Sequence, residues 1–252
     1  MRQNIYDDET FYTLYDQMRE EKKHLSANDL IEIPTIRSML PDLNGKRILE
    51  LGCGYGDSCA YFSEKGAKYI LGTDISSHMI DIAKIKHKST NCKFQVLAME
   101  DISTIHDKFD IIVSSLAFHY VEDFEKLLQD IYKLLKDDGL LIFSQEHPIG
   151  TGTILNDACH NSDNITLADK RYYLVSDYNI NGKRIVDWNN CKVVKYHRNF
   201  NYIINTLQGC NFQIEDILEP TPTKEVIEKR PDYKNQLDKP FFLFIKARKI
   251  KH

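Results

Sequence analysis

The chain has 252 residues, 42% of them hydrophobic, enough for one sizeable core and for one large domain or a domain with an insertion. Its 33 Lys and Arg against 37 Asp and Glu leave a formal net charge of -4, so no global positive field gathers nucleic acid or anionic lipid. The six cysteines (53, 59, 92, 159, 191 and 210) form no C-x-x-C pair, no apolar run approaches the roughly 18 residues of a membrane span, and MRQNIYDDETFY lacks the apolar stretch of a signal peptide, which points to a reduced cytoplasmic protein without structural zinc.

Residues 9–24 set Phe11, Tyr12, Leu14, Tyr15 and Met18 among charges and predict a helix; a second apolar stretch ends at the turn residues of SMLPDLNGKR. RILEL predicts a first strand, DSCAYFSEKG a helix closed by Gly66, and YILGTDI a second strand, together one βαβ unit. SSHMIDIAKIKHK opens on capping serines and places Met79, Ile82 and Ala83 on one helix face. KFQVLAM and FDIIVSSLA predict the third and fourth strands. Between residues 122 and 136, Phe124, Leu127, Leu128, Ile131, Leu134 and Leu135 recur at three and four, and DDG ends that helix as a turn before the fifth strand, LLIFSQ. This alternation predicts a parallel sheet covered on both faces, with ligands beyond the carboxyl ends of its strands.

After Pro148 the alternation stops. GTGTILNDACHNSDNIT is polar and irregular, an aromatic-rich stretch runs from Tyr172 to Tyr196, and YNINGKR predicts a hairpin turn, so residues 149–198 are expected to be an insertion over the ligand end. NFNYIINTLQGC returns to helical spacing, FQIEDILEP to a strand, and KPFFLFIKARK supplies a last strand. Pro220, Pro222 and Pro231 interrupt the link between these two strands, which predicts that they pair antiparallel.

Three glycines two apart, Gly52, Gly54 and Gly56, stand in ELGCGYG where the first strand stops. A dinucleotide fingerprint needs glycine at position 57, where Asp57 stands, and a pyrophosphate at that helix start would meet the carboxylates of Glu50 and Asp57. Acids beside a bare turn suit a cationic ligand without phosphate, such as S-adenosylmethionine with its ammonium and sulfonium. Asp74, ending the second strand, is placed to accept both ribose hydroxyls.

ELGCGYG, GTDIS and SSLAFHYVED, in order within residues 45–147, resemble the motifs of class I S-adenosylmethionine-dependent methyltransferases. YDDETFYTLYDQMR, EHP and KYHRNFNYIINTLQGCNFQIEDILEP are similar to a bacterial small-molecule branch of that family, of methyltransferase type 11-like kind. The resemblance implies an α/β, Rossmann-like fold in one domain: a seven-stranded mainly parallel sheet with one antiparallel strand and helices on both faces. Residues 1–44 form an N-terminal helical lid, 45–148 the cofactor-binding core, 149–198 a substrate cap, and 199–252 the C-terminal helix and last strands.

The same resemblance puts Glu50 and the backbone of Gly52, Cys53 and Gly54 at the methionine moiety, Asp74 on the ribose, and Ile75 and Met79 along the adenine. It puts Met99, with Glu100 or Asp101, near the exocyclic amine, although Ala98 replaces the acid of the commoner Asp-Ala pattern. Ser115 and Leu116 fall at the methyl-donor end, and Tyr15 and Arg19, with Tyr12, in the lid. His119 and Tyr120 follow the fourth strand and His147 the fifth, so either histidine is a candidate orienter or general base, with Tyr120 helping to hold the acceptor. Trp188, Tyr172, Tyr173 and Tyr178 are candidate pocket walls. The expected reaction is methyl transfer from S-adenosyl-L-methionine to a small-molecule acceptor, leaving S-adenosyl-L-homocysteine, by a monomer or homodimer that needs no metal. A macromolecular acceptor, a cofactor-binding protein without turnover and a nicotinamide oxidoreductase are the alternatives; SSLAF, where base-methylating relatives carry a proline-aromatic tetrad, speaks against nucleic acid.

Overall fold

From Arg47 to Glu146, strands alternate with helices or 3-10 turns. In the computed structural model, which describes residues 3–22, 24–153, 164–168, 170–188 and 191–251, α1 (Glu9–Glu21) and α2 (Ile33–Met39) lead into β1 (Arg47–Leu51). There follow α3 (Asp57–Glu64), β2 (Tyr69–Asp74), α4 (Ser77–Lys86), β3 (Cys92–Val96), β4 (Phe109–Ser114), α5 (Phe124–Leu134) and β5 (Leu135–Glu146). β1 sends Ile48 into one core and Leu49 and Leu51 into the other, all fully buried, as a parallel strand covered on both faces requires. α5 starts where the Asp123 side chain accepts from the Lys126 N–H, and it buries Phe124, Leu127, Leu128, Ile131 and Leu134 against the sheet.

Beyond β5 come α6 (Pro148–Thr151), the antiparallel pair β6 (Asn164–Leu167) and β7 (Lys170–Tyr173), and the antiparallel pair β8 (Gly182–Trp188) and β9 (Cys191–His197). The chain ends with α7 (Phe200–Gly209), β10 (Phe212–Leu218), α8 (Lys224–Lys229) and β11 (Phe242–Lys249). The large sheet runs β10-β11-β5-β4-β1-β2-β3. β1 pairs parallel with β2 and β4, β2 with β3, and β4 with β5, while β11 runs antiparallel to both β5 and β10. Strand order therefore reverses between β1 and β4, and a crevice opens at their carboxyl ends.

Two local expectations are corrected. DDG is not a turn outside the strand: β5 already begins at Leu135, its pairing with β4 shifts between Phe109 and Ile111, and Asp138 takes a φ of +60° within that irregularity. An Asp tolerates this left-handed geometry better than most side chains, so the chain bulges without breaking the element. The Asn181-Gly182 step likewise does not close a hairpin, since β7 and β8 are not paired. It feeds β8, where the buried Arg184 guanidinium donates to the carbonyls of Ile180 (2.6 Å) and Thr151 (3.2 Å) and ties the turn to α6. Residues 154–163, which hold most of the polar stretch after Pro148, lie outside the described residues.

Candidate active site

The corner after β1 is bent by its glycines. Gly52, Gly54 and Gly56 have φ of +73°, +50° and +78°, a region that L side chains rarely enter. Packing adds a second demand at two of them: a Cβ on Gly52 would lie 2.7 Å from the Ala117 Cβ, and one on Gly56 would lie 2.7 Å from the Phe94 ring. A Cβ on Gly54 would meet no atom within 4 Å, so this backbone faces an open cradle. The Gly52 and Cys53 N–H groups donate to the Thr73 carbonyl (2.8 and 2.9 Å), drawing the corner onto β2. Gly54 N–H donates to one oxygen of Asp74 and Ser76 N–H to the other, both at 2.9 Å.

Burial governs the acids around this corner. Asp74 is half-buried, and desolvation raises its carboxyl above the ordinary range although the Ser76 and Gly54 N–H groups pull the other way. Glu50 is 2% exposed and accepts from the Cys59 thiol (2.8 Å); desolvation pushes its carboxyl up to about 8. A third acid, Glu32, is 1% exposed and accepts from Ser115 Oγ (2.7 Å) and Ser144 Oγ (2.6 Å). Sequence reasoning missed it; the available signal was a glutamate set among Leu30, Ile31 and Ile33. Ile75 is half-buried, Met79 is buried, and Met99, Glu100 and Asp101 lie half-buried in the 3-10 turn that follows β3.

The N-terminal segment bonds to residues beside the corner. Asn4 donates to the Ile75 carbonyl (3.3 Å), and Asp7 accepts from Ser76 Oγ (2.5 Å) and from the N–H groups of Ser77 and His78 at the start of α4. From α1, Asp16 accepts from Tyr55 Oη (3.1 Å), while the Arg19 guanidinium lies 5.1 Å from the Tyr55 ring centre and 3.8 Å from Asp57. Tyr15 turns instead into an aromatic cluster with Tyr6, Phe11 and Trp188, whose ring centres lie 5.2–6.1 Å from its own.

That cluster abuts the exit of β4. Ser115 and Leu116 follow the strand, which stops at Ser114, and Phe118–Tyr120 form a short 3-10 turn in which His119 is buried with its ring 4.3 Å from that of Tyr120. Burial, then the charge of Glu146, drives the Tyr120 phenol well above its usual value, and Tyr6 shares a hydrogen bond with it. From β9, the buried Lys195 ammonium meets Glu146 Oε1 at 2.5 Å and lies 5.2 Å from the Trp188 ring centre. Nothing in the sequence singles out Tyr6 or Lys195 as neighbours of this turn.

A family profile described as Methyltransferase domain matches residues 49–143, from within β1 through most of β5. The crystal structure of an S-adenosylmethionine dependent methyltransferase from Mesorhizobium loti superposes with a TM-score of 0.79 at 34% identity, over 89% of this chain and 98% of that one. The chain belongs to the S-adenosylmethionine-dependent methyltransferases. An uncharacterized protein of Haemophilus influenzae is 37% identical over 98% of this chain and 97% of its own length. A malonyl-[acyl-carrier protein] O-methyltransferase of Bacillus cereus is 28% identical over 131 residues, 52% of this chain and 47% of that protein. The cofactor of this methyltransferase is S-adenosylmethionine, and the corner fits it: the Gly54 cradle admits a ligand against bare backbone, and the Asp74 carboxyl, with about four lone-pair sites for the N–H groups of Ser76, Gly54 and Ile75, keeps acceptor capacity for a hydroxyl.

Other expected residues are differently employed in the methyltransferase. His147 caps α6: its Nδ1 accepts from the Ile149 N–H (3.1 Å), so Nε2 carries the proton and meets Glu219 Oε1 at 2.5 Å. With both nitrogens engaged the ring braces the backbone and presents no lone pair to an acceptor. Tyr172 is exposed on β7, Tyr173 Oη donates to the Asn235 carbonyl, and Tyr178 Oη accepts from the Phe200 N–H, so of the four candidate walls Trp188 is the one in the aromatic cluster. Among the described residues no helix is long and apolar enough to cross a membrane.

Proposed function

We propose that this enzyme transfers the methyl group of S-adenosylmethionine to a small-molecule acceptor held between the exit of β4 and the insertion. The observation that carries this reading is the seam over Tyr120, where Phe11, Val186 and Val193 form a small core with Tyr6, Tyr15 and Trp188 and where Lys195 reaches Glu146. A methyl end enclosed in this way suits a compact acceptor better than a polymer lying across an open face. A Neisseria meningitidis relative, 27% identical over 107 residues and named ubiquinone biosynthesis O-methyltransferase, supports an acceptor of that size. The net charge of -4 supports the absence of a nucleic-acid partner, and the reading includes a cytoplasmic monomer or homodimer.

Glu50 and the backbone of Gly52, Cys53 and Gly54 would hold the methionine end, Asp74 the ribose, Ile75 and Met79 the adenine, and Met99 with Glu100 or Asp101 its amine edge. Bound there, the cofactor supplies a methyl group already activated by its sulfonium. The chain then has to align the acceptor and exclude water. His119 and Tyr120 orient the acceptor or take its proton, while Tyr15 and Arg19 close the lid. The test is a metabolite panel scored for S-adenosylhomocysteine formation. An acceptor of low molecular mass giving stoichiometric product is expected; turnover confined to nucleic acid or protein would refute the reading.

A further inference from the structure

Glu32 belongs to no motif, yet its carboxylate is buried against the ends of β4 and β5. A buried carboxylate is costly unless bonded, and here Oε1 takes both the Ser115 hydroxyl from the exit of β4 and the Ser144 hydroxyl from β5. The residue is delivered by a π-helical turn, Asn28–Glu32, just before Pro34, which has no N–H to continue a regular helix backward. Because the Ser144 hydrogen points to Glu32, the lone pairs of Ser144 Oγ are left for the Leu116 N–H (3.0 Å), which also reaches the Ser144 carbonyl (3.1 Å).

Leu116 needs that support. Its φ is +50°, a left-handed conformation disfavoured for a branched side chain. The turn it makes sets Ala117 against Gly52, so closely that Gly52 has no room for a Cβ. A continuous path thus runs from Glu32 through two serines and a strained turn to the glycine corner.

We propose that Glu32 is a positioning residue for the cofactor: through Ser115 and Ser144 it holds Leu116 left-handed and so seats residues 115–117 against the glycine corner. The inference rests on the cofactor placement proposed above. It is tested by titrating S-adenosylhomocysteine calorimetrically into wild type, Glu32→Ala, Leu116→Gly and the double variant. Glycine enters the left-handed region unaided, so Glu32 has nothing left to hold in the Leu116→Gly background. Expected is a loss of about tenfold from Glu32→Ala in the wild-type background and of no more than about twofold in the Leu116→Gly background. Glu32→Gln, which keeps an acceptor oxygen for both serines, should stay within about threefold of wild type. If Glu32→Ala does not fold, Ser144→Ala must show the same dependence on background. Equal losses in both backgrounds, or no loss at all, overturn the proposal. Asp74→Ala run alongside separates the two ideas, since its failure to weaken binding removes the cofactor placement, whereas the Glu32 cycle reports on positioning alone.

Discussion

Burial pushes the Glu50 carboxyl up from an ordinary value of 4.5 to about 8. A raised carboxyl binds an extra proton in the native state, so its contribution is fully present below the unfolded value and is lost as pH rises through about 8. The span from 4.5 to about 8 sets an upper bound of roughly 5 kcal/mol on that contribution. Glu50→Gln cannot ionise, and its melting temperature should gain several degrees on wild type between about pH 5.5 and 9, at about 2–4 °C per kcal/mol for a chain of this size. A constant difference across that range would show that Glu50 does not titrate there. Asp74 makes the complementary case. Asp74→Ala should weaken S-adenosylhomocysteine by about 2 kcal/mol, roughly thirtyfold, through loss of charge-assisted hydrogen bonds, and unchanged affinity by calorimetry would remove it from the ribose site. The two histidines should separate as their surroundings do. With an acceptor from the panel, His119→Asn should lose about a hundredfold in turnover while cofactor affinity holds. His147→Asn should lower the melting temperature and leave kcat in place.

At the scale of elements, Asp7 joins the N-terminal segment to α4. Burial raises its carboxyl, but the bonds from Ser76, His78, Asn4 and Ser77 outweigh it and hold the group below the usual carboxylate range. A depressed carboxyl stabilises above its unfolded value and loses that contribution as pH falls through its folded one. Asp7→Ala should therefore cost about 0.5–1 kcal/mol at pH 7, the low end of a cap because the residue faces solvent, with hydrogen exchange speeding up in residues 4–21 first. Uniform loss of protection across the sheet would instead assign Asp7 to global stability. The strand-turn-helix around Gly52, Gly54 and Gly56 was legible because its parts are neighbours in the chain: a strand, a turn requiring positive φ, and an acid ending the next strand. Glu32 was not, since its partners stand 83 and 112 positions away, and neither was Lys195, whose partner stands 49 away. Periodicity reports which face of an element is apolar, and it carries no information on which distant polar group will meet a lone acid in the core. DDG and Asn181-Gly182 misled for a related reason. Both have turn chemistry, but pairing with β4 in one case and the Arg184 bonds in the other decided how the turn was used.

Over the whole molecule, the parallel core of the large sheet follows from the sequence alternation, whereas the internal pairing of residues 149–198 does not, because two short hairpins carry no long-range pattern. β9 and the N-terminal segment come from opposite ends of the chain and meet through Gln3 and Val194 as well as through the aromatic cluster. Replacing residues 149–198 with a short linker should spare cofactor binding and abolish transfer; a shortened protein that still methylated its acceptor at the wild-type rate would make the insertion irrelevant to the reaction.

The N-terminal segment also has a kinetic consequence. Its bonds reach Ile75, the start of α4, Tyr55 and Asp57, all next to the glycine corner, and acting as a lid they would roof bound cofactor. Spent cofactor would leave only after several of these contacts part together, so its residence time, and not the bond-making step, would set the pace of repeated cycles. Rapid mixing should then give a burst of about one equivalent of methylated product followed by a slower steady rate, with the slow phase sensitive to solvent viscosity. Asp7→Ala should raise that steady rate while binding S-adenosylhomocysteine less tightly. A linear time course without a burst would mean that the roof lifts faster than the methyl group moves.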